Sequence, residues 1–159
     1  MSGTQLTGGF CGIGLVAPKD VANIGAVLRA AGCWGVSLVA TQGQRYRRAP
    51  TDTSAAYRSI PLIQTDDLHS VVPFDCVPVA VEMSDRARPL TSYVHPKRAF
   101  YVFGPEDGTL GRPVLDWCRD VVSIPTNGCL NLAASVNVVL YDRCYKQEVA
   151  GRLQRWRSA

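Results

Sequence analysis

Three short stretches carry residue types at spacings that could do chemistry. The first is Asn23-Ile-Gly25 followed by Arg29. Asn23 and Arg29 lie slightly under two helical turns apart, at opposite ends of a short helical segment. Gly25 allows a backbone or ligand to come close. An arginine facing a cleft can grip a phosphate or lower the proton affinity of a nearby hydroxyl. The second stretch is FGPEDGTLG, residues 103–111, where glycines at 104, 108 and 111 and Pro105 make a tight loop and Glu106 and Asp107 supply acceptors. Its spacing is not the dinucleotide fingerprint, and no Lys-Ser/Thr follows as in a P-loop. The third is IPTNGCLNLAASVNVVLYD, residues 124–142. A turn at Asn127-Gly128 leads into a helix start of small or polar residues: Cys129, Asn131, Ala133, Ala134, Ser135 and Asn137. Each stretch alone also fits a structural role: a capping Asn with a surface Arg, an ordinary strand-to-helix turn, and a tight helix contact.

Charge is concentrated beyond what the totals suggest. The chain has 159 residues and a formal charge of +4, from 17 Lys+Arg against 13 Asp+Glu. Arg45, Arg47, Arg48 and Arg58 are interleaved with Tyr46 and Tyr57, and the C-terminal segment adds Arg152, Arg155, Trp156 and Arg157. Arginines among aromatics suit phosphate neutralisation and base stacking, so both clusters are candidate RNA contacts. The six cysteines, at 11, 33, 76, 118, 129 and 144, form no CxxC and lie partly inside apolar runs. They read as buried, reduced thiols of a cytoplasmic protein. His69 and His95 have no cysteine at ligand spacing, so no metal site is expected. No run approaches a membrane span, and the N-terminus lacks the pattern of a secretory signal.

The elements that must position these residues follow from the apolar pattern. One domain spanning 1–159 is the natural reading at this length. Buried strands are expected at 11–17, 36–40, 60–63, 76–83, 99–104 and 121–125. A helix is expected over VANIGAVLRAAGCWG, capped by Asp20 or Asn23, ended by Gly32 or Gly35, and bearing a stripe of Val27, Leu28, Ala31 and Cys33. Short helices are expected over 66–72 and 112–118, the latter with Pro113 in its first turn, and a long one from Leu130 to about Trp156. Residues 41–59 read as a polar, basic excursion and 84–98 as mostly loop. Uninterrupted apolar strands alternating with helices imply an α/β fold, a parallel sheet with helices on both faces. Ligands of such sheets bind beyond the carboxyl ends of the strands, which is where the three stretches fall.

Together and in this order, the three stretches resemble the motifs of the SpoU/TrmH family of SPOUT-class RNA ribose 2′-O-methyltransferases. Those motifs are N-x-G-x-x-x-R, a strand ending in G-x-E-x-x-G, and I-P … S-L-N-V/L-S/A running into a long helix. The chain has Asn23-Ile-Gly25 with Arg29, then Gly104-Pro105-Glu106-Asp107-Gly108, then Ile124-Pro125 with Cys129-Leu130-Asn131-Leu132-Ala133. Where the family carries Ser, this chain has Cys129, a poorer hydrogen-bond donor. The Ser/Ala position is Ala133, and the linker from Ile124 to Cys129 is short.

The resemblance covers essentially the whole chain. It implies a C-terminal trefoil knot, bound S-adenosylmethionine and a homodimer with the long C-terminal helix in its interface. By motif match, cofactor contacts fall on Val81 or its neighbours, Gly104, Ile124, Cys129 and Leu130, and the methyl acceptor site on Arg29, Asn23, Glu106 and Asn131. It also implies RNA as substrate, with tRNA favoured because the chain reads as a minimal catalytic domain and its RYRRAPTD stretch is similar to a basic loop of the tRNA wobble-position enzymes. The alternatives are rRNA, a catalytically silent RNA-binding module, and a small-molecule α/β enzyme with another cofactor.

Overall fold

The computed structural model describes residues 9–43 and 60–157, from 152 onward as backbone alone. The basic residues Arg45, Arg47, Arg48 and Arg58 lie outside the described residues, and so does the side chain of Arg155. Seven strands form one sheet: β1 (Cys11–Val16), β2 (Leu38–Gln42), β3 (Leu62–Thr65), β4 (Val77–Val81), β5 (Arg88–Pro89), β6 (Ala99–Phe103) and β7 (Asp120–Ser123). Every pairing between them is parallel, in the order β3-β2-β1-β6-β4-β7-β5. The last strand, β7, thus enters between two strands that precede it. Three helices pack on the sheet: α1 (Val21–Trp34), α2 (Arg112–Leu115) and α3 (Leu132–Arg157).

The strands read as apolar runs because both of their faces are covered. Alternate residues divide between two cores. Ile13, Leu15, Val39, Val79, Tyr101, Phe103 and Val122 pack with α1 and α3. Ala40, Ala80, Phe100, Val102 and Val121 pack with Leu68, Leu110 and α2. On that second face β1 offers two glycines before Val16: a Cβ on Gly12 or Gly14 would come within 2.6 Å of the Phe100 ring. The bare backbone makes room for Phe100.

Several boundaries differ from the sequence expectation. β2 and β3 begin and end two residues later than predicted, because the core-facing alternation, not the start of the apolar run, sets the paired register. Residues 69–71 form only a 3₁₀ turn, and α2 stops at Leu115. The two-residue strand β5 lies in a stretch read as loop; one pairing with β7 defines it, and no local pattern marks it. Asp20, not Asn23, caps α1, its carboxylate accepting from Ala22 N at 2.8 Å, and Gly35 ends the helix at φ 67. All six cysteines are free, yet only Cys11 and Cys118 are buried, while Cys33 and Cys129 are exposed. Cys33 therefore leaves the predicted α1 stripe, and Cys129 sits on a loop. Burial pushes the Cys11 and Cys118 thiols up to about 12, which keeps them protonated and inert.

Candidate functional site

Strands β1, β6, β4 and β7 are neighbours, so the loops at their carboxyl ends meet along one edge. Those loops open a groove lined by Val81, Glu82, Met83, Phe103, Gly104, Pro105, Glu106, Gly108, Ile124, Thr126, Gly128, Cys129, Leu130, Leu132 and Ser135. The non-protein space within it, including the part open to solvent, is about 730 Å³. Gly104 leaves little room: a Cβ there would lie 3.3 Å from Leu110 N and 3.4 Å from Leu110 Cγ.

At the rim, three side chains from the three stretches join in one directed chain of hydrogen bonds. The first N–H groups of α3 donate to Asn131 Oδ1, Ala133 N at 2.9 Å and Ala134 N at 3.3 Å. Those donors fix the orientation of the Asn131 amide. Its Nδ2 must face away from the helix, and it donates to Asn23 Oδ1 at 2.8 Å. Asn23 Nδ2 in turn donates to Glu106 Oε1 at 2.8 Å. Glu106 also accepts from Lys19 N at 3.0 Å and Asp20 N at 3.4 Å. Partial burial alone would raise the Glu106 pKa, but the hydrogen bonds from Asn23 and from the backbone outweigh it and hold the carboxyl below the usual range. The chain thus runs from a helix N-terminus to an ionised carboxylate, and both amides keep a spare N–H.

The structure brings together Asn23, Glu106 and Asn131 at the rim, and Val81, Gly104, Ile124, Cys129 and Leu130 in the groove wall. Arg29 stands apart. It is exposed on α1, does not line the groove, and has no described hydrogen-bond or ion-pair partner. Glu106, expected to position Arg29 or the substrate, holds Asn23 and the start of α1 instead. Sequence reasoning missed Met83 and Thr126, and reached Glu82 only as a neighbour of Val81 and Ser135 only as one of the small residues of the third stretch. Their signal was position: Glu82 and Met83 directly follow β4, at the same sheet edge as the three motifs.

The donor set of the groove tests what it can hold. Its walls are more apolar than polar, and among the described residues the charged groups of its lining are Glu82 and Glu106, without Lys, Arg or His. A dinucleotide, with its phosphates, fits this poorly. A cationic nucleoside such as S-adenosylmethionine fits: apolar walls for the purine, and carboxylates and backbone groups for hydroxyls and positive charge. A Cβ at Gly128 would meet nothing within 4 Å, so the wall is open at that point. Among the described residues, no cluster of His, Cys, Asp and Glu could hold a metal, and no helix is long and apolar enough to cross a membrane.

Comparisons with known proteins agree with this geometry. The sequence profile of the SpoU rRNA Methylase family matches residues 11–141. The SpoU methyltransferase AviRb from Streptomyces viridochromogenes, in complex with the cofactor AdoMet, superposes with a TM-score of 0.76 at 19% identity, over 87% of this chain and 58% of that one. The TrmH/SpoU tRNA modifying enzyme of A. aeolicus gives 0.77 at 17% identity, over 92% and 80%. A structure described as giving insights into 2-OH methylation of C/U34 on tRNA gives 0.73 at 23% identity, over 89% and 92%. These identities speak to the fold. The chain spans about three fifths of the length of AviRb. No curated protein matches it by sequence.

Proposed function

Since the chain belongs to the SpoU rRNA methylase family, we propose that it transfers a methyl group from S-adenosylmethionine to a ribose 2′-hydroxyl of RNA, in the cytoplasm, with tRNA the favoured substrate and rRNA the second. The observation that carries this reading is the Asn131–Asn23–Glu106 chain at the rim of a groove with apolar walls and only anionic charge. The likeness in fold to the protein described for 2-OH methylation of C/U34 on tRNA supports tRNA.

When bound, S-adenosylmethionine supplies an electrophilic methyl group. The residues of the chain must then place the ribose hydroxyl in line and help it lose its proton. Val81, Gly104, Ile124, Cys129 and Leu130 hold the donor. Asn23 and Asn131 offer their spare N–H groups to the ribose at the rim; Glu106 orients the Asn23 amide and the first N–H groups of α3 orient that of Asn131. Arg29 extends from α1 to the adjoining phosphate and steadies negative charge as it develops on the 2′-oxygen. In this role it stabilises the alkoxide, and the hydroxyl proton passes to solvent water at the open rim. Arg45, Arg47, Arg48, Arg58 and Arg155 bind the RNA backbone.

The acting unit is a homodimer. One face of α3 is buried through Leu132, Val136, Val139 and Leu140, while Val138, Tyr141, Tyr145 and Val149 form an exposed stripe on the other. Trp34 of α1 meets Tyr141 edge-on at 6.1 Å, and Tyr141 stacks on Tyr145 at 6.3 Å. Such a contiguous apolar patch suits an interface between copies. Mass spectrometry of nucleosides from cells lacking the protein tests the reaction. Loss of one 2′-O-methyl nucleotide from tRNA is expected; unchanged tRNA and rRNA would refute it.

A further inference from the structure

Glu82 follows β4 directly and lines the groove without belonging to any of the three motifs. Its backbone N–H donates to Val122 O at 2.9 Å, which fixes it to the end of β7. Its carboxylate braces the loop after β6: Oε2 accepts from Leu110 N at 2.8 Å, and Oε1 accepts from Met83 N at 2.8 Å. Each carboxylate oxygen can accept about two hydrogen bonds, so each keeps capacity toward a ligand. Glu106, the other acid of the lining, already accepts from three donors at the rim. Among the described residues of the lining there is no cation beside Glu82.

Resting on the reading of the groove as the methyl-donor site, we propose that Glu82 is its specificity-determining residue: it makes the groove prefer the cationic sulfonium donor over the neutral thioether product. The two molecules differ by one methyl group and one positive charge. A carboxylate in a partly desolvated groove discriminates on the charge, and the smaller, neutral S-adenosylhomocysteine gains nothing from it. Product would then leave readily after each transfer.

Calorimetric titration of the purified full-length protein and of Glu82→Gln with each ligand separates the alternatives. Glutamine keeps the shape and one acceptor but removes the charge. We expect the wild-type protein to bind S-adenosylmethionine several-fold more tightly than S-adenosylhomocysteine, and Glu82→Gln to shrink that ratio about five- to tenfold. An equal loss for both ligands would make Glu82 a loop brace only, and an unchanged ratio would remove it from recognition; either result overturns the inference. If the variant does not fold, the wild-type protein decides. Sinefungin, whose amine places a cation near the position of the sulfonium, should also bind more tightly than S-adenosylhomocysteine, and a product that binds as tightly as the two cations overturns the inference. Binding of no ligand by the wild-type protein would instead refute the donor site itself.

Discussion

Two directed polar chains meet α3, one at each end of the sheet, and they differ in what they leave unused. At the carboxyl ends of the strands, the helix N-terminus, Asn131, Asn23 and Glu106 run in series along an open rim. Under α3, Arg143 Nη1 donates to Tyr101 OH at 3.2 Å. Tyr101 OH lies 2.6 Å from His95 Nδ1, and His95 Nε2 lies 2.8 Å from Asp142 Oδ2. Lys146 Nζ closes that series on Asp142 at 2.6 Å. Arg143 is completely buried and also donates to the carbonyls of Pro96 and Lys97, at 2.6 and 2.9 Å. The series under α3 is enclosed at Arg143, Tyr101 and His95, reaches solvent only at Asp142 and Lys146, and anchors the helix; the rim series faces solvent with N–H groups to spare. The same kind of network thus serves stability where it is enclosed and recognition where it is open.

The largest expected effect breaks the buried series. Arg143→Ala strips donors from several enclosed carbonyls and should lower stability by about 3–5 kcal/mol in urea denaturation. Methyl transfer by the fraction that remains folded should be near normal. Next, Arg29→Ala should reduce methyl transfer about 10²–10³-fold, with stability and donor affinity unchanged. Retained turnover would remove Arg29 from the mechanism. Asn131→Asp is a finer probe, since Asp is an equally good helix cap but cannot donate to Asn23 Oδ1. Thermal stability should hold, while methyl transfer falls by about 1–3 kcal/mol in barrier, five- to a hundredfold. Equal turnover would show that the rim series is only a cap.

The smallest effect is a pH dependence that belongs to the buried series. Burial lowers the His95 pKa, against the opposing pull of Asp142 and with Lys146 and Arg143 adding to the decrease. The unfolded chain therefore takes up the proton first, near pH 6.5. Stability is full above that value and declines as pH falls toward the folded-state value. Chemical denaturation between pH 7 and 5 should show this decline, and His95→Gln should flatten it.

The rim was legible in the sequence because each of its residues sits at a fixed step from a strand end. Asn23, Glu106 and Asn131 are marked by local spacing, and parallel pairing does the rest. The buried series was not, because a lone arginine in a long helix reads as solvated. Its signal was periodicity: Arg143 continues the stripe of Val136, Val139 and Leu140. The role of Glu82 and the strand β5 were hidden for a related reason, as both are defined by partners distant in sequence, Leu110 N and β7.

The central claim, that the rim and groove form one site for methylating a ribose, is most directly tested by incubating the purified protein with tRNA and methyl-labelled S-adenosylmethionine and digesting the RNA to nucleosides. The account predicts label in a 2′-O-methyl nucleoside, abolished by Asn23→Ala in a variant that still binds the donor. Label on a base, or ribose label that survives loss of Asn23, would contradict it.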